Sequence, residues 1–199
     1  LDIPDSDRWY HAVKPVDLDG DGDLDFITTN NNTTVQSFGG LNYGTSKLEW
    51  FENIGTPGVA SFVPHDIGDV GGALFDLHDV DGDGDKDILL PQYFGGQSLL
   101  WVENPGDPND LWVQHVINDT TGKGFGVEVA DIDNDGQPEI VYGNHNHEAS
   151  EEPEKQIMGV YYWDIPPVDQ LDNLDNWDDT MHVIYEGFYI GSDKPDQDG

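Results

Sequence analysis

The stretch VDLDGDGDLDFI, residues 16–27, carries an aspartate at every second position from Asp17 to Asp25, with glycine or leucine between them. Carboxylates this close repel one another, so bound cations or a salt-rich solvent must offset the repulsion. The whole chain is acidic: 41 acidic residues against seven lysines and arginines give its 199 residues a formal charge of −34. Such a charge works against binding to nucleic acid or to an anionic membrane surface.

The acidic stretch recurs twice, as HDVDGDGDKDILL at residues 78–90 and ADIDNDGQPEIVY at residues 130–142. Two further motifs repeat in the same order. The first reads LEWFENIG, LLWVENPG and, more loosely, VYYWDIPP, at residues 48–55, 99–106 and 160–167. The second contains a histidine and reads SFVPHDIG, LWVQHVIN and TMHVIYEG, at residues 61–68, 111–118 and 180–187. The chain is therefore built from repeated units of roughly fifty residues.

Each unit contains four short segments rich in Val, Ile, Phe, Tyr and Trp, separated by Gly, Asn, Asp and Pro. Such segments are typical of strands, and no stretch shows helical periodicity. Four strands per unit of this length indicate a β-propeller blade, with a solenoid or a sandwich as the alternative. We predict an all-β chain of four-stranded antiparallel blades. Its units are three full blades and the start of a fourth, at about residues 8–68, 69–118, 122–187 and 188–199.

The number of blades leaves the ends of this architecture open. Three full units are fewer than the four to eight blades with which a propeller closes. We expect the chain to be a fragment of a longer propeller, or to have its ends completed by neighbouring chains. Residues 144–157 and 166–180 are polar insertions in the third unit and are expected to be loop-like.

The three acidic loops share one pattern, counted from the first aspartate of each. Positions 1, 3, 5, 7 and 9 carry oxygen-bearing side chains, and position 6 is glycine. A loop that curls around a hard cation presents alternate side chains inward, glycine permits the sharp turn, and the carbonyl of position 7 adds an oxygen. The predicted ligand positions are Asp17, Asp19, Asp21, Asp23 and Asp25; Asp79, Asp81, Asp83, Asp85 and Asp87; and Asp131, Asp133, Asp135, Gln137 and Glu139.

All these donors are oxygens, which favours Ca²⁺ over zinc, copper or Mg²⁺, so we predict two to three calcium sites. An EF-hand is excluded because it needs a bidentate Glu at position 12 and flanking helices. Position 12 is Thr28, Leu90 or Tyr142, within a predicted strand.

Loop, strand and ENxG motif together resemble the FG-GAP/VCBS-type repeat of calcium-binding β-propellers, as in integrin α-subunit heads and some fungal lectins. The third unit, GFGVEVADIDNDGQPEIVYGN, places Phe125 and Gly126 at the FG position. The resemblance covers essentially the whole chain and implies that each cation ties together the two innermost strands of a blade. A fainter similarity links residues 101–117 to aldos-2-ulose dehydratase-like propellers.

The resulting expectation is a secreted or cell-surface module for binding or adhesion, with a glycan, a protein or neighbouring copies of itself as partner. Extracellular calcium suits loop sites of modest affinity. No apolar run approaches the roughly 18 residues of a membrane span, so no direct membrane insertion is expected. One alternative is a structural subunit of a fibre or surface assembly. Another is the propeller domain of a sugar-modifying lyase, with His145, His147 and Glu148 as candidates; we favour a polar loop there and a protein that is not an enzyme.

Other recurring side chains have structural interpretations. His65, His115 and His182 recur at one place in the unit, which predicts a packing or hydrogen-bonding role. Trp50, Trp101 and Trp163 are expected in the core between blades. Trp9, Trp112 and Trp177 are less regular, and any exposed one could stack on a sugar. Sequons at Asn31, Asn32 and Asn118 leave glycosylation open.

Overall fold

The computed structural model describes residues 8–32, 46–93, 99–145 and 158–188, which form three four-stranded antiparallel sheets with consecutive strands as neighbours. The first sheet contains β1 (Arg8–Val16), β2 (Asp25–Asn32), β3 (Ser46–Asn53) and β4 (Phe62–Gly68). The second contains β5 (Asp76–His78), β6 (Asp87–Pro91), β7 (Leu99–Glu103) and β8 (Val113–Asn118). The third contains β9 (Gly124–Ala130), β10 (Glu139–Asn144), β11 (Met158–Asp164) and β12 (Met181–Phe188). The prediction of all-β, blade-like repeats is confirmed, while residues 189–199 of the predicted fourth unit lie outside the described part.

Two hydrophobic cores hold the sheets together, one between the first and second sheets and one between the second and third. The second sheet contributes to both because side chains alternate between its faces. Ile88 and Leu90 of β6 enter the first core, whereas Leu89 between them enters the second. All three are fully buried, which explains why β6 is apolar without alternation.

The segment 166–180 is not a simple loop, and that prediction was wrong. It contains a 3-10 turn (Val168–Gln170) and a short helix, α1 (Leu174–Asp179), whose first turn is capped when the Asn173 side chain accepts a hydrogen bond from the Asp175 N–H. Trp177 is fully buried in the second core, and its indole N–H donates to the Leu171 carbonyl at 2.8 Å. The helix escapes a periodicity search because it spans less than two turns.

Trp50, Trp101 and Trp163 are all buried in the cores between the sheets, as expected, but they do not share one position in the unit. Trp50 pairs with His65 and Trp101 with His115, but the third histidine, His182, pairs with Tyr162. Trp163 is one residue further on, so it points to the opposite face of its strand, although it too is buried. Its assignment to the Trp50 and Trp101 position was wrong by one residue.

Stacking on a sugar was expected only of an exposed tryptophan, and two of the three irregular tryptophans are buried. Trp177 is buried as described above. Trp112 is also buried, in the first core, with its indole N–H donating to the Pro108 carbonyl at 3.1 Å. The side chain of Trp9 lies outside the described part.

The sequon at Asn118 is engaged in the fold. Asn118 is fully buried, and its side-chain oxygen accepts hydrogen bonds from the Thr120 N–H, the Thr121 N–H and the Thr121 hydroxyl. A glycan on this nitrogen is therefore incompatible with the folded arrangement. The side chains of Asn31 and Asn32 lie outside the described part.

No helix in the described ranges is long and apolar enough to cross a membrane.

Candidate metal centres

Each acidic loop joins the first strand of its sheet to the second. The glycine at position 6 turns back so that its N–H donates to the carboxylate at position 1. This contact measures 3.2 Å for Gly22 to Asp17, 3.1 Å for Gly84 to Asp79 and 3.2 Å for Gly136 to Asp131. Three equivalent loops therefore close by the same hydrogen bond.

The backbone is left-handed at positions 4 and 6 of every loop, which makes room for the turn. Position 6 has φ of 95°, 104° and 93° at Gly22, Gly84 and Gly136. Position 4 has φ of 75° and 79° at Gly20 and Gly82, and 65° at Asn134. Glycine and asparagine are the residues that tolerate this conformation most readily. The sequence analysis identified position 6 but missed position 4.

The curled backbone brings carboxylates together at all three loops. In each group the potential ligand atoms all lie within 4.8 Å of one another. The groups are Asp17, Asp19 and Asp21; Asp79, Asp81 and Asp87; and Asp131, Asp133, Asp135 and Glu139. Such clusters of oxygen donors can satisfy a hard cation that accepts several carboxylates in flexible geometry.

These groups of carboxylates do not include Asp23, Asp25, Asp83 or Asp85, whereas Gln137, which carries an amide, stays a predicted ligand. Asp25 instead fastens the loop to its sheet, because its carboxylate accepts the Leu18 N–H at 3.1 Å and the Asn53 N–H at 2.8 Å. Its counterpart Asp87 makes the same two kinds of contact, with Val80 and Asn104, and also belongs to the second group. Position 9 therefore has a structural role beside any role as a ligand.

The electrostatics of these loops favour a bound cation. Asp87 is 1 % exposed, and burial raises the pKa of its carboxyl to about 6 although the Asn104 and Val80 N–H groups act against this shift. Partial desolvation also raises the pKa of Asp81 and of Asp19, and neighbouring carboxylates add to both shifts. A divalent cation among these oxygens would remove the penalty, so the residues present fit Ca²⁺.

The asparagine of the ENxG motif supports the loops, a role that the sequence analysis did not assign. The Asn104 side chain donates to the Lys86 carbonyl at 3.2 Å and accepts the Gly106 N–H at 3.0 Å. Asn53 makes the same pair of contacts, with Leu24 and Gly55, at 3.3 and 3.1 Å. The exact repetition of ENxG in two units is the sequence feature from which this supporting role could have been inferred. The third unit has Ile165 at this position.

The second and third loops border a common cleft of about 540 Å³. Asp79 and Asp81 lie on one side of the cleft and Asp135 and Glu139 on the other. Residues 164–168 complete its wall. Both candidate centres therefore border one cleft.

The enzyme-like segment is only partly described. His145 packs against the rings of Tyr93 and Phe125, with ring centroids 5.7 and 5.6 Å away. Its backbone N–H donates to the Lys123 carbonyl at 2.8 Å. His147 and Glu148 lie outside the described part, so a joint role of these three residues stays a prediction.

Comparison with known proteins agrees with the repeat. Residues 79–142 match the family model described as FG-GAP-like repeat. No curated protein and no solved structure shows a significant match to the chain. The matched segment runs from the first aspartate of the second loop, through the third loop, to Tyr142 in β10. The chain therefore carries an FG-GAP-type repeat, the unit of a β-propeller-type module.

Proposed function

We propose that the chain is a calcium-stabilised β-propeller module of an extracellular protein, acting in binding or adhesion with a glycan or protein as ligand. The observation that carries the proposal is the convergence of carboxylate oxygens at three equivalent loops. FG-GAP repeats are typical of extracellular proteins, where calcium is abundant enough to fill sites of modest affinity. Calcium is then a structural ion.

The loops explain how the ion would stabilise the fold. The residues that would hold it are those of the three groups: Asp17, Asp19 and Asp21; Asp79, Asp81 and Asp87; and Asp131, Asp133, Asp135 and Glu139. Each loop joins the first two strands of its sheet. A bound ion would therefore link these strands and neutralise the carboxylates of the loop between them. The ion would supply charge neutralisation and cross-linking, with no chemical step.

Calorimetric titration of the chelator-stripped chain with CaCl₂ tests the calcium part, with a melting curve at each point. We expect two or three sites. Each site that is filled to a hundred times its dissociation constant should raise the melting temperature by about 5–10 °C. The variant Glu139→Gln should lose one site. Asp107→Asn is the matched control, because Asp107 is exposed and belongs to none of the three groups. Absence of calcium uptake would refute the proposal.

The binding part needs a separate measurement. The calcium-loaded chain should retain a glycan on a glycan array, or a protein in a screen of extracellular domains, and should lose this partner after chelation. Calcium uptake with no partner in either screen would favour the structural-subunit alternative instead.

A further inference from the structure

An aspartate followed by a glycine is a dipeptide at which the backbone can rearrange spontaneously. The glycine nitrogen attacks the aspartate Cγ, water leaves, and a five-membered succinimide ring forms. Glycine favours this step because it has no Cβ to hinder the approach of its nitrogen. The three acidic loops contain five such dipeptides: Asp19–Gly20, Asp21–Gly22, Asp81–Gly82, Asp83–Gly84 and Asp135–Gly136. A sixth, Asp198–Gly199, lies outside the described part.

Four of these five glycine amides are held in hydrogen bonds to a carboxylate. The N–H groups of Gly22, Gly84 and Gly136 donate to the aspartate at position 1 of their own loops. The Gly82 N–H donates to the Asp79 carboxylate at 2.8 Å. An amide in such a bond is a poor nucleophile, because losing its proton would place a second negative charge beside the carboxylate. The loop fold therefore protects these four dipeptides.

The amide of Gly20 differs from the other four, because it donates to no acceptor within the described ranges of the chain. Asp19 is exposed, so water has access to its carboxyl group, whereas the equivalent Asp81 is only partly exposed. The Asp19 Oδ1 accepts the Asp21 N–H at 3.1 Å, which folds the side chain back over the peptide bond to Gly20. An accessible carboxyl group therefore lies beside an amide that the loop does not hold.

We propose that Asp19–Gly20 is a site of spontaneous isoaspartate formation, and that a cation bound in the first loop suppresses the reaction; this second part rests on the calcium site proposed above. The bond from the Asp19 Cγ to the Gly20 nitrogen forms as the amide proton and a carboxyl oxygen leave as water. Water then opens the succinimide at the Asp19 backbone carbonyl and breaks the original peptide bond. The mass is unchanged, and no oxidant or reductant takes part. The chain now runs through Cγ, and the carboxylate is attached to Cα.

This rearrangement would dismantle the first candidate metal centre. Asp19 lies with Asp17 and Asp21 in the first group of carboxylates. A backbone that is one methylene longer, with its carboxylate directly on Cα, cannot reproduce that arrangement. A bound cation would oppose the reaction, because it holds the Asp19 oxygens in place as ligands. Calcium would therefore preserve the loop, whereas a period without calcium would remove the site permanently.

Prolonged incubation of the chelator-stripped chain at neutral pH and physiological temperature tests the site. Peptide mapping with electron-transfer fragmentation, which distinguishes isoaspartate from aspartate, follows each dipeptide. Asp19–Gly20 should react about tenfold faster or more than the other four, which must first release a hydrogen bond to a carboxylate. The variant Asp79→Ala frees the Gly82 N–H and should accelerate Asp81–Gly82 by a similar factor, with Asp19–Gly20 unchanged. Far-ultraviolet circular dichroism verifies the fold, and in a urea-unfolded control all five should react alike.

The same incubation in CaCl₂ tests the protection. At about a hundred times the dissociation constant of the first site, the rate at Asp19–Gly20 should fall about tenfold or more, because few loops are then empty. Equal rates at the five dipeptides of the folded chain, or no response to Asp79→Ala, would overturn the proposed site. An unchanged rate in calcium-loaded chain would overturn the protection. The chelated experiment does not depend on calcium uptake, so its failure is distinguishable from failure of the calcium sites, which calorimetry measures.

Discussion

The imidazole of His115 stacks on the indole of Trp101, with ring centroids 4.3 Å apart and ring planes inclined by 22°. The His115 Nε2 lies 2.8 Å from a carboxylate oxygen of Glu103, two residues after Trp101. The same arrangement joins His65, Trp50 and Glu52, and it joins His182, Tyr162 and Asp164 more loosely. The recurring histidines therefore pack and hydrogen-bond, as their repetition predicted.

Replacing His115 with alanine should destabilise the chain by about 1–3 kcal/mol, because Glu103 and Trp101 would lose their shared partner. His115 also lies 3.0 Å from Asp172, which connects the second sheet to the segment before α1. The matched variant is His182→Ala, where the histidine side chain is 45 % exposed, and its cost should be below about 1 kcal/mol. Urea unfolding with calcium present measures both, and equal losses would contradict the ranking.

Replacing Asn104 with alanine should cost about 1–2 kcal/mol, because the side chain makes two hydrogen bonds that close the end of β7 onto the second loop. The calcium affinity of that loop should fall as well, since the two side-chain bonds hold in place the Asn104 N–H that donates to the Asp87 carboxylate. Asn109→Ala is the control, because the Asn109 side chain donates to the exposed carboxylate of Asp107, outside the loop. Calorimetry and thermal melting compare the two. An unchanged second-loop affinity in Asn104→Ala would refute the link between motif and loop.

Replacing Gly84 with alanine should destabilise the second loop by about 1–2 kcal/mol, because its φ of 104° is strained for any residue with a Cβ. The space around a Cβ at this position is open, so the cost is conformational and not steric. Gly143→Ala is the matched control, with equally open space and no positive φ. Chemical denaturation should show a loss for the first variant only; similar values would contradict the conformational explanation.

Replacing Trp177 with alanine should cost about 3–5 kcal/mol, because it empties a fully buried site and leaves the Leu171 carbonyl without its donor. Leu111→Ala, at a largely exposed position, should change stability by less than about 0.5 kcal/mol. Thermal unfolding distinguishes them. A small loss for Trp177→Ala would mean that α1 does not anchor the third unit to the second sheet.

Much of the fold was predictable because its signals are local and occur three times. Strand segments, turn residues and the spacing of the acidic loops all repeat, so each unit supports the interpretation of the others. Within the described ranges, the 3-10 turn and α1 have no counterpart in the other units, and α1 was missed. Its burial depends on Leu171 and Trp177 reaching a core formed by other units.

The sequence predicted that carboxylates would converge at these loops, since alternate residues of a curled loop point inward, and the residues at positions 1 and 3 lie together in all three. Position 9 was less predictable. Asp87 and Glu139 join their groups, whereas Asp25 does not, although all three sit at the start of the second strand. The difference arises from the orientation of the carboxylate, which a residue pattern does not contain.

The sequence by itself determined the repeat, the all-β class and the location of the acidic loops, because these follow from residue types at short spacing. Only the tertiary structure decided which face each aromatic residue occupies, since a shift of one position along a strand reverses its direction. It placed Tyr162, and not Trp163, beside His182, and it buried Asn118 within a network of threonine donors. Those outcomes depend on contacts between residues far apart in the chain, which no local pattern contains.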